Sequence, residues 1–207
     1  MSSRSSLYTI GFAAALSVAC AVLLTGVSAL LAERQERNRR LDEIVNILAV
    51  LKIDLGPAAA ARDIEAAYQA NVEAKAKDGV KVYVLKAAQP GGSPRAYAFE
   101  VRGMGLWGPV KGLLAVEPDL DTIRGIRFYE QEETPGLGGR IGETEFTQKF
   151  EGKRLRSADG AVGLRIVMGA AADDPHAVDA ITGATLTCKA VEQFVNEDIR
   201  AFLKVMP

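Results

Sequence analysis

Three hydroxyls stand close together in Ala180-Ile181-Thr182-Gly183-Ala184-Thr185-Leu186-Thr187-Cys188-Lys189, just before a helix-like run. A threonine at a helix start can cap the exposed backbone N–H groups. A cap needs one hydroxyl, though, and three are present. Gly183 and Ala184 keep the segment slim, so a flat ligand can approach the backbone. A helix beginning near Thr187 turns its positive dipole end on this loop, where a phosphate is stabilised. Lys189 adds positive charge. The residues leave two readings open: helix caps, or a hydroxyl such as that of Thr187 holding a phosphate. Spacing does not say whether that contact is covalent.

Two glycine-rich segments are further candidates. Gly103-Met104-Gly105-Leu106-Trp107-Gly108 matches G-x-G-x-x-G letter by letter. A dinucleotide fingerprint needs a helix directly after it. Here Pro109 and a strand-like run follow, so that reading fails and a loop of close backbone approach replaces it. Trp107, the only tryptophan, is either a core residue or a cover for an aromatic ligand. Glu132-Glu133-Thr134-Pro135-Gly136-Leu137-Gly138-Gly139-Arg140 carries a Pro-Gly turn pair. Its glycines permit positive φ, and Glu133 and Thr134 offer polar atoms at the turn's edge. A surface turn explains the spacing; phosphate binding is a weaker alternative, because no P-loop Lys-Ser/Thr follows.

The elements that must position these loops read as α+β. Val80 to Leu85, Ala96 to Val101, Val110 to Val116 and Ile123 to Tyr129 alternate and are rich in β-branched or aromatic residues, so they are expected strands. Leu164 to Met168 is a further strand. Cys188 to Val205 places Val191, Phe194, Val195, Ile199 and Phe202 on one helical face. Ala60 to Ala76 reads as a helix, and Glu143 to Phe150 as a short one. Leu41, Ile44, Val45, Leu48 and Leu51 recur at helical spacing, and Gly56-Pro57 is expected to end that segment. The expected fold is a small mixed or antiparallel sheet flanked by helices, on a single N-terminal transmembrane helix. The expected domains are an anchor over 1–32, a helical linker region over 33–76 and a binding domain over 77–207.

The anchor rests on Leu7 to Ala32, which carries no charge. As a helix it spans about 39 Å, against about 30 Å of bilayer hydrocarbon. A cleaved signal peptide has a shorter apolar core. Arg4 alone precedes the span, while Arg34, Arg37, Arg39 and Arg40 follow it. Read by charge, the following domain would lie in the cytoplasm. A net charge of −1 gives no electrostatic case for nucleic acid. One histidine and two cysteines do not make a zinc or iron–sulfur site in a single chain.

Val178-Asp179-Ala180-Ile181-Thr182-Gly183-Ala184-Thr185-Leu186-Thr187 resembles the flavinylation motif of FMN-binding domains, Ser/Thr-Gly-Ala-Ser/Thr-x-Thr. The segments EETPGLGGRI and GMGLWGPVKGLLAV resemble two further blocks of those domains, in the same order. With the apolar helix and the charged helix after it, the chain is similar to the C subunit of sodium-translocating NADH:quinone oxidoreductases. The G subunit of the Rnf complex is the close alternative.

The resemblance implies FMN joined through a phosphoester to Thr187. It implies Thr182, Gly183, Ala184, Thr185 and Leu186 around the phosphate and ribityl chain. Glu133, Thr134, Gly136, Leu137 and Gly138 would line the isoalloxazine or ribityl side, with Leu106 and Trp107 nearby. It also implies an electron-transfer subunit with no catalytic residue or metal of its own. Its partners would be membrane lipid, the iron–sulfur and flavin carriers of the complex, and a flavin transferase for maturation. The domain would face outward from the bacterial inner membrane, against the arginine count. Two rivals remain: an anchored interaction module that carries no electrons, and a free-standing flavin reductase. The second lacks a nicotinamide motif.

Overall fold

A computed structural model describes residues 3–56, 59–89, 91–157, 160–171 and 173–206. The chain divides into two compact units, Met1–Asp42 and Glu43–Pro207. The first is the larger part of helix α1, Ser3–Val50. Tyr8, Ile10, Leu16, Val22, Leu24 and Leu30 are all exposed on it, on every side. A helix that is apolar all round is stable only where water is absent. By length and composition this one can cross a membrane.

The second unit is built on an antiparallel sheet ordered β1-β2-β3-β4-β5: Val72–Lys77, Val80–Leu85, Ala96–Met104, Pro109–Val116 and Ile123–Glu130. Period-2 alternation divides its side chains between two cores. Val82, Val84, Phe99, Val101, Leu114 and Val116 face one side. Tyr83, Leu85, Ala96, Ala98, Leu113 and Ala115 face the other.

Helix α4, Thr185–Val205, covers the first side. Phe202 stacks on Phe99 with ring centroids 4.1 Å apart, and Phe194 meets Phe128 edge-on at 6.5 Å. Gly103 admits Phe194: a Cβ there would lie 2.5 Å from the ring. Strand β3 outruns β2, whose pairing ends at Phe99, and Asp198 of α4 accepts the Arg102 N–H at 2.8 Å. Ile44, Ile47, Leu48 and Leu51 cover the second side, with Ile64, Ala67 and Tyr68 of α2, Ala61–Asn71, packed against them.

Helix α1 stops earlier than the sequence suggests. Lys52 takes a positive φ of 58°, and two bonds close the end: Ile53 N–H to Leu48 O at 2.9 Å and Lys52 N–H to Ala49 O at 3.0 Å. This is a Schellman closure. Pro57, expected to break the helix, lies outside the described residues.

The helix expected from Ala60 to Ala76 is corrected. It ends at Asn71, and Val72–Lys77 is strand β1, paired with β2 from Val72↔Leu85 to Lys77↔Val80. The cause is the two-residue turn Asp78-Gly79, with φ of 49° and 80°. Both positive values define the tight hairpin turn for which Asp-Gly is favoured. That turn and the strand pairing override the helix propensity of Ala, Glu and Lys. Strand β6 is shorter than expected, Arg165–Val167, and pairs in parallel with β7, Ala177–Asp179. The Glu143–Phe150 segment is one helical turn, α3 (Thr144–Thr147), followed by a 3-10 turn.

Candidate functional site

Strand β7 delivers the threonine loop to the start of α4. Asp179 pins the delivery: its carboxylate accepts the Gly169 N–H at 2.8 Å and the Lys149 ammonium at 3.2 Å. Those two contacts, the backbone N–H first, hold Asp179 below the ordinary aspartate range. A depressed acid stabilises the fold above its unfolded value and loses that contribution as pH falls through the folded one. Thermal midpoints measured on acidification should therefore drop from the ordinary aspartate value downward. Asp179→Asn, which cannot titrate, should lack that part of the drop.

The loop then turns tightly. The Ala184 N–H donates to Ile181 O at 3.0 Å, Gly183 has φ of 81°, and the Cys188 N–H donates to Ala184 O at 2.9 Å to open the helix. Helix α4 thus begins at Thr185, three residues before its expected start. Ala184 is its N-cap residue, and among the described residues no side chain caps it. The capping reading of the threonines is therefore corrected. The first-turn N–H groups keep their donor capacity, which suits an anion.

Thr187 points inward and is 2% exposed. Its hydroxyl donates to Glu133 Oε2 at 2.5 Å. The other oxygen of Glu133, itself 5% exposed, accepts the Trp107 N–H at 2.9 Å. The Glu133 N–H donates to Gln131 Oε1 at 2.6 Å. One carboxylate thus ties together the two glycine-rich loops and the threonine loop.

The glycines make room for it. A Cβ at Gly105 would lie 2.5 Å from Glu133 Oε1, and one at Gly138 would lie 2.7 Å from Glu133 Oε2 and 2.6 Å from Thr187 Oγ1. The close approach expected in the G-x-G segment is to this glutamate. Pro135-Gly136 forms a turn closed by the Leu137 N–H on Thr134 O at 3.1 Å, with Gly136 at φ of 75°. A glycine at that position suits a type II turn.

These loops enclose a cleft of about 360 Å³. Leu106, Trp107, Glu133, Thr134, Leu137, Gly138, Gly183, Ala184, Thr185, Leu186 and Thr187 line it. Of the residues singled out from the sequence, Thr182 and Gly136 are exposed and stand off its wall. The rim is apolar and open to solvent: Trp107 is 69% exposed and Leu186 61%. Gly105, Gln131 and Asp179 are the positioning residues that sequence reasoning did not single out. Gly105 carried a signal in its G-x-G spacing; the other two act through contacts not visible in a motif.

A slim Gly183 is part of this geometry. A Cβ there would stand 3.1 Å from Leu137 Cδ2. Gly183→Ala should cost about 1–2 kcal/mol from the left-handed backbone alone. It should also narrow the cleft against Leu137. A thermal melt reads the first effect, and ligand content after purification the second.

Residues 105–200 match the family model described as FMN-binding domain, which defines the class of this site. The C subunit of the Na(+)-translocating NADH-quinone reductase of Pasteurella multocida is 32% identical over 218 residues, spanning 85% of this chain and 83% of that protein. The corresponding protein of Neisseria meningitidis serogroup B is 42% identical over 123 residues, 59% of this chain and 46% of its own length. A crystal structure of the C subunit from Parabacteroides distasonis superposes with a TM-score of 0.70 at 26% identity, covering 84% of this chain and 96% of that one. That of Shewanella oneidensis NqrC shares the fold, with a TM-score of 0.65 at 22% identity, over 79% of this chain and 99% of that one. The chain belongs to the family formed by the C subunits of Na(+)-translocating NADH-quinone reductases.

The residues present fit the group that the family model names. An uncapped helix start suits a phosphate. Leu106, Trp107, Leu137 and Leu186 offer apolar surface to a flat ring system. The space beside Gly183 and Gly138 is space that a side chain would fill.

Proposed function

We propose that this chain is the FMN-carrying subunit of a sodium-translocating NADH:quinone oxidoreductase. It would be held in the bacterial inner membrane by α1 and carry its flavin on Thr187. The observation that supports this most is the buried Thr187 hydroxyl, placed in the uncapped first turn of α4 and lining an open cleft. The N–H groups of Thr185 and Leu186 would donate to the phosphate, and Thr187 Oγ1 would bond to it. Glu133, Thr134, Leu137 and Gly138 would border the ribityl chain and one edge of the ring, with Leu106 and Trp107 on the apolar side. Thr182 and Gly136 would act by shaping their turns.

When bound, FMN supplies one- and two-electron redox chemistry. The chain's part is to fix its position and to prevent its loss, which an ester to Thr187 would do. A separate flavin transferase would make that ester. Electrons would come from and go to carriers in other membrane subunits, iron–sulfur and flavin in type. The domain would face the periplasm, although Arg34, Arg37, Arg39 and Arg40 follow the apolar span. Protease added to intact spheroplasts should cut it if so, and should spare it if the arginine count decides the orientation.

The test of function is reduction of the flavin in two settings. In the assembled complex NADH should reduce the flavin on this chain. The isolated chain should not be reduced by NADH, because it offers no nicotinamide motif. A flavin that stays oxidised in the complex through turnover would instead support a scaffold role.

A further inference from the structure

We propose that Glu133 is the base that removes the Thr187 proton when the flavin phosphate is attached, a step that rests on the reading of Thr187 above. A threonine hydroxyl is a weak nucleophile without an adjacent base. Glu133 Oε2 is already its hydrogen-bond partner at 2.5 Å, and both side chains are almost fully buried. The carboxylate has little freedom to turn away. The Trp107 N–H holds its second oxygen, and Gly105 and Gly138 pack so closely that a methyl on either would collide with it.

The donor is a flavin phosphate activated as a phosphoanhydride, as in a flavin dinucleotide. The Thr187 Oγ1–P bond forms while the anhydride P–O bond breaks. The leaving nucleotide phosphate takes the bonding pair, and the hydroxyl proton goes to Glu133 Oε2. Nothing is oxidised or reduced.

The test compares attachment rates on the full-length chain. Flavin-free protein in detergent is incubated with flavin adenine dinucleotide and extract from a host that flavinylates the wild type. Labelled protein is followed by intact mass. Glu133→Gln keeps the shape and one acceptor oxygen, which can still take the Trp107 backbone N–H, but puts an amide NH2 beside Thr187 and loses the basicity. Its rate should fall about 100-fold or more, the usual contribution of a general base. Glu133→Ala should be equally slow, and added formate should restore part of its rate. An unchanged rate in Glu133→Gln overturns the proposal. So does a slow Glu133→Ala that formate cannot restore, which would make Glu133 a positioning residue only. The formate comparison is read within one protein, so it decides the matter even if Glu133→Gln melts below the assay temperature. Failure of the wild type to acquire flavin on Thr187 is a separate result and removes the reading of Thr187 itself.

Discussion

Thr187→Val is expected to give a folded protein with no flavin that survives denaturing electrophoresis. Valine keeps the β-branched shape in a buried position and removes only the hydroxyl. The loss of covalent flavin should be complete, since the hydroxyl paired with Glu133 is the one removed. Thr187→Ser keeps a hydroxyl on the same turn of α4 and should keep the attachment. Stability should change modestly in the valine variant. Glu133 loses one of its two donors, a cost of about 1–3 kcal/mol for a buried acceptor left short of partners. A thermal melt should register it as a fall of a few degrees. The fluorescent band in the gel should be present in wild type and the serine variant, and absent in the valine variant.

The largest effect on stability is expected from Phe202→Ala, about four helical turns from Thr187. Phe202 and Phe99 are both fully buried and stacked, one on α4 and one on β3. Removing one ring deletes its transfer energy and leaves a cavity, together about 3–5 kcal/mol. For a domain of this size that is a drop of very roughly 6–20 °C in thermal midpoint. The consequence reaches the site. Thr187 is carried by α4, and Glu133 by the loop after β5. Looser packing of α4 on the sheet should weaken their hydrogen bond, so flavin incorporation should fall with stability. Denaturant titration with an unchanged slope would identify the effect as lost packing rather than an altered unfolded state.

Strands β2 to β4 were legible because their apolar residues alternate between the two cores of the sheet. Alternation is local, and Val82, Val84, Phe99 and Val101 display it plainly. Strand β1 was not legible from its own residues. Only Val72 of VEAKAK is buried, and Ala, Glu and Lys favour helices. The decisive signal stood just beyond it, in Asp78-Gly79. Strands β6 and β7 have three residues each, too few to show a period. The end of α1 comes before Gly56 because Lys52, four residues earlier, takes the left-handed position that closes the helix.

At the site, the threonine loop was visible as a motif, and its helix start as a periodicity. The pairing of Thr187 with Glu133 was not. It joins residues 54 positions apart, and no local pattern encodes that distance. Its trace in the sequence is indirect: glycines at 105 and 138, placed where a side chain would strike the carboxylate. The three threonines separate by environment alone. Thr187 is buried, while Thr182 and Thr185 are exposed. Only Thr185 of those two borders the cleft.

The most direct measurement is the intact mass of the purified chain followed by peptide mapping. The expected result is an added mass of FMN minus one water, carried by the peptide that contains Thr187 and released as FMN on cleavage of the ester. An unmodified mass from a host that flavinylates related proteins, or a flavin mapped to any residue other than Thr187, would contradict the assignment.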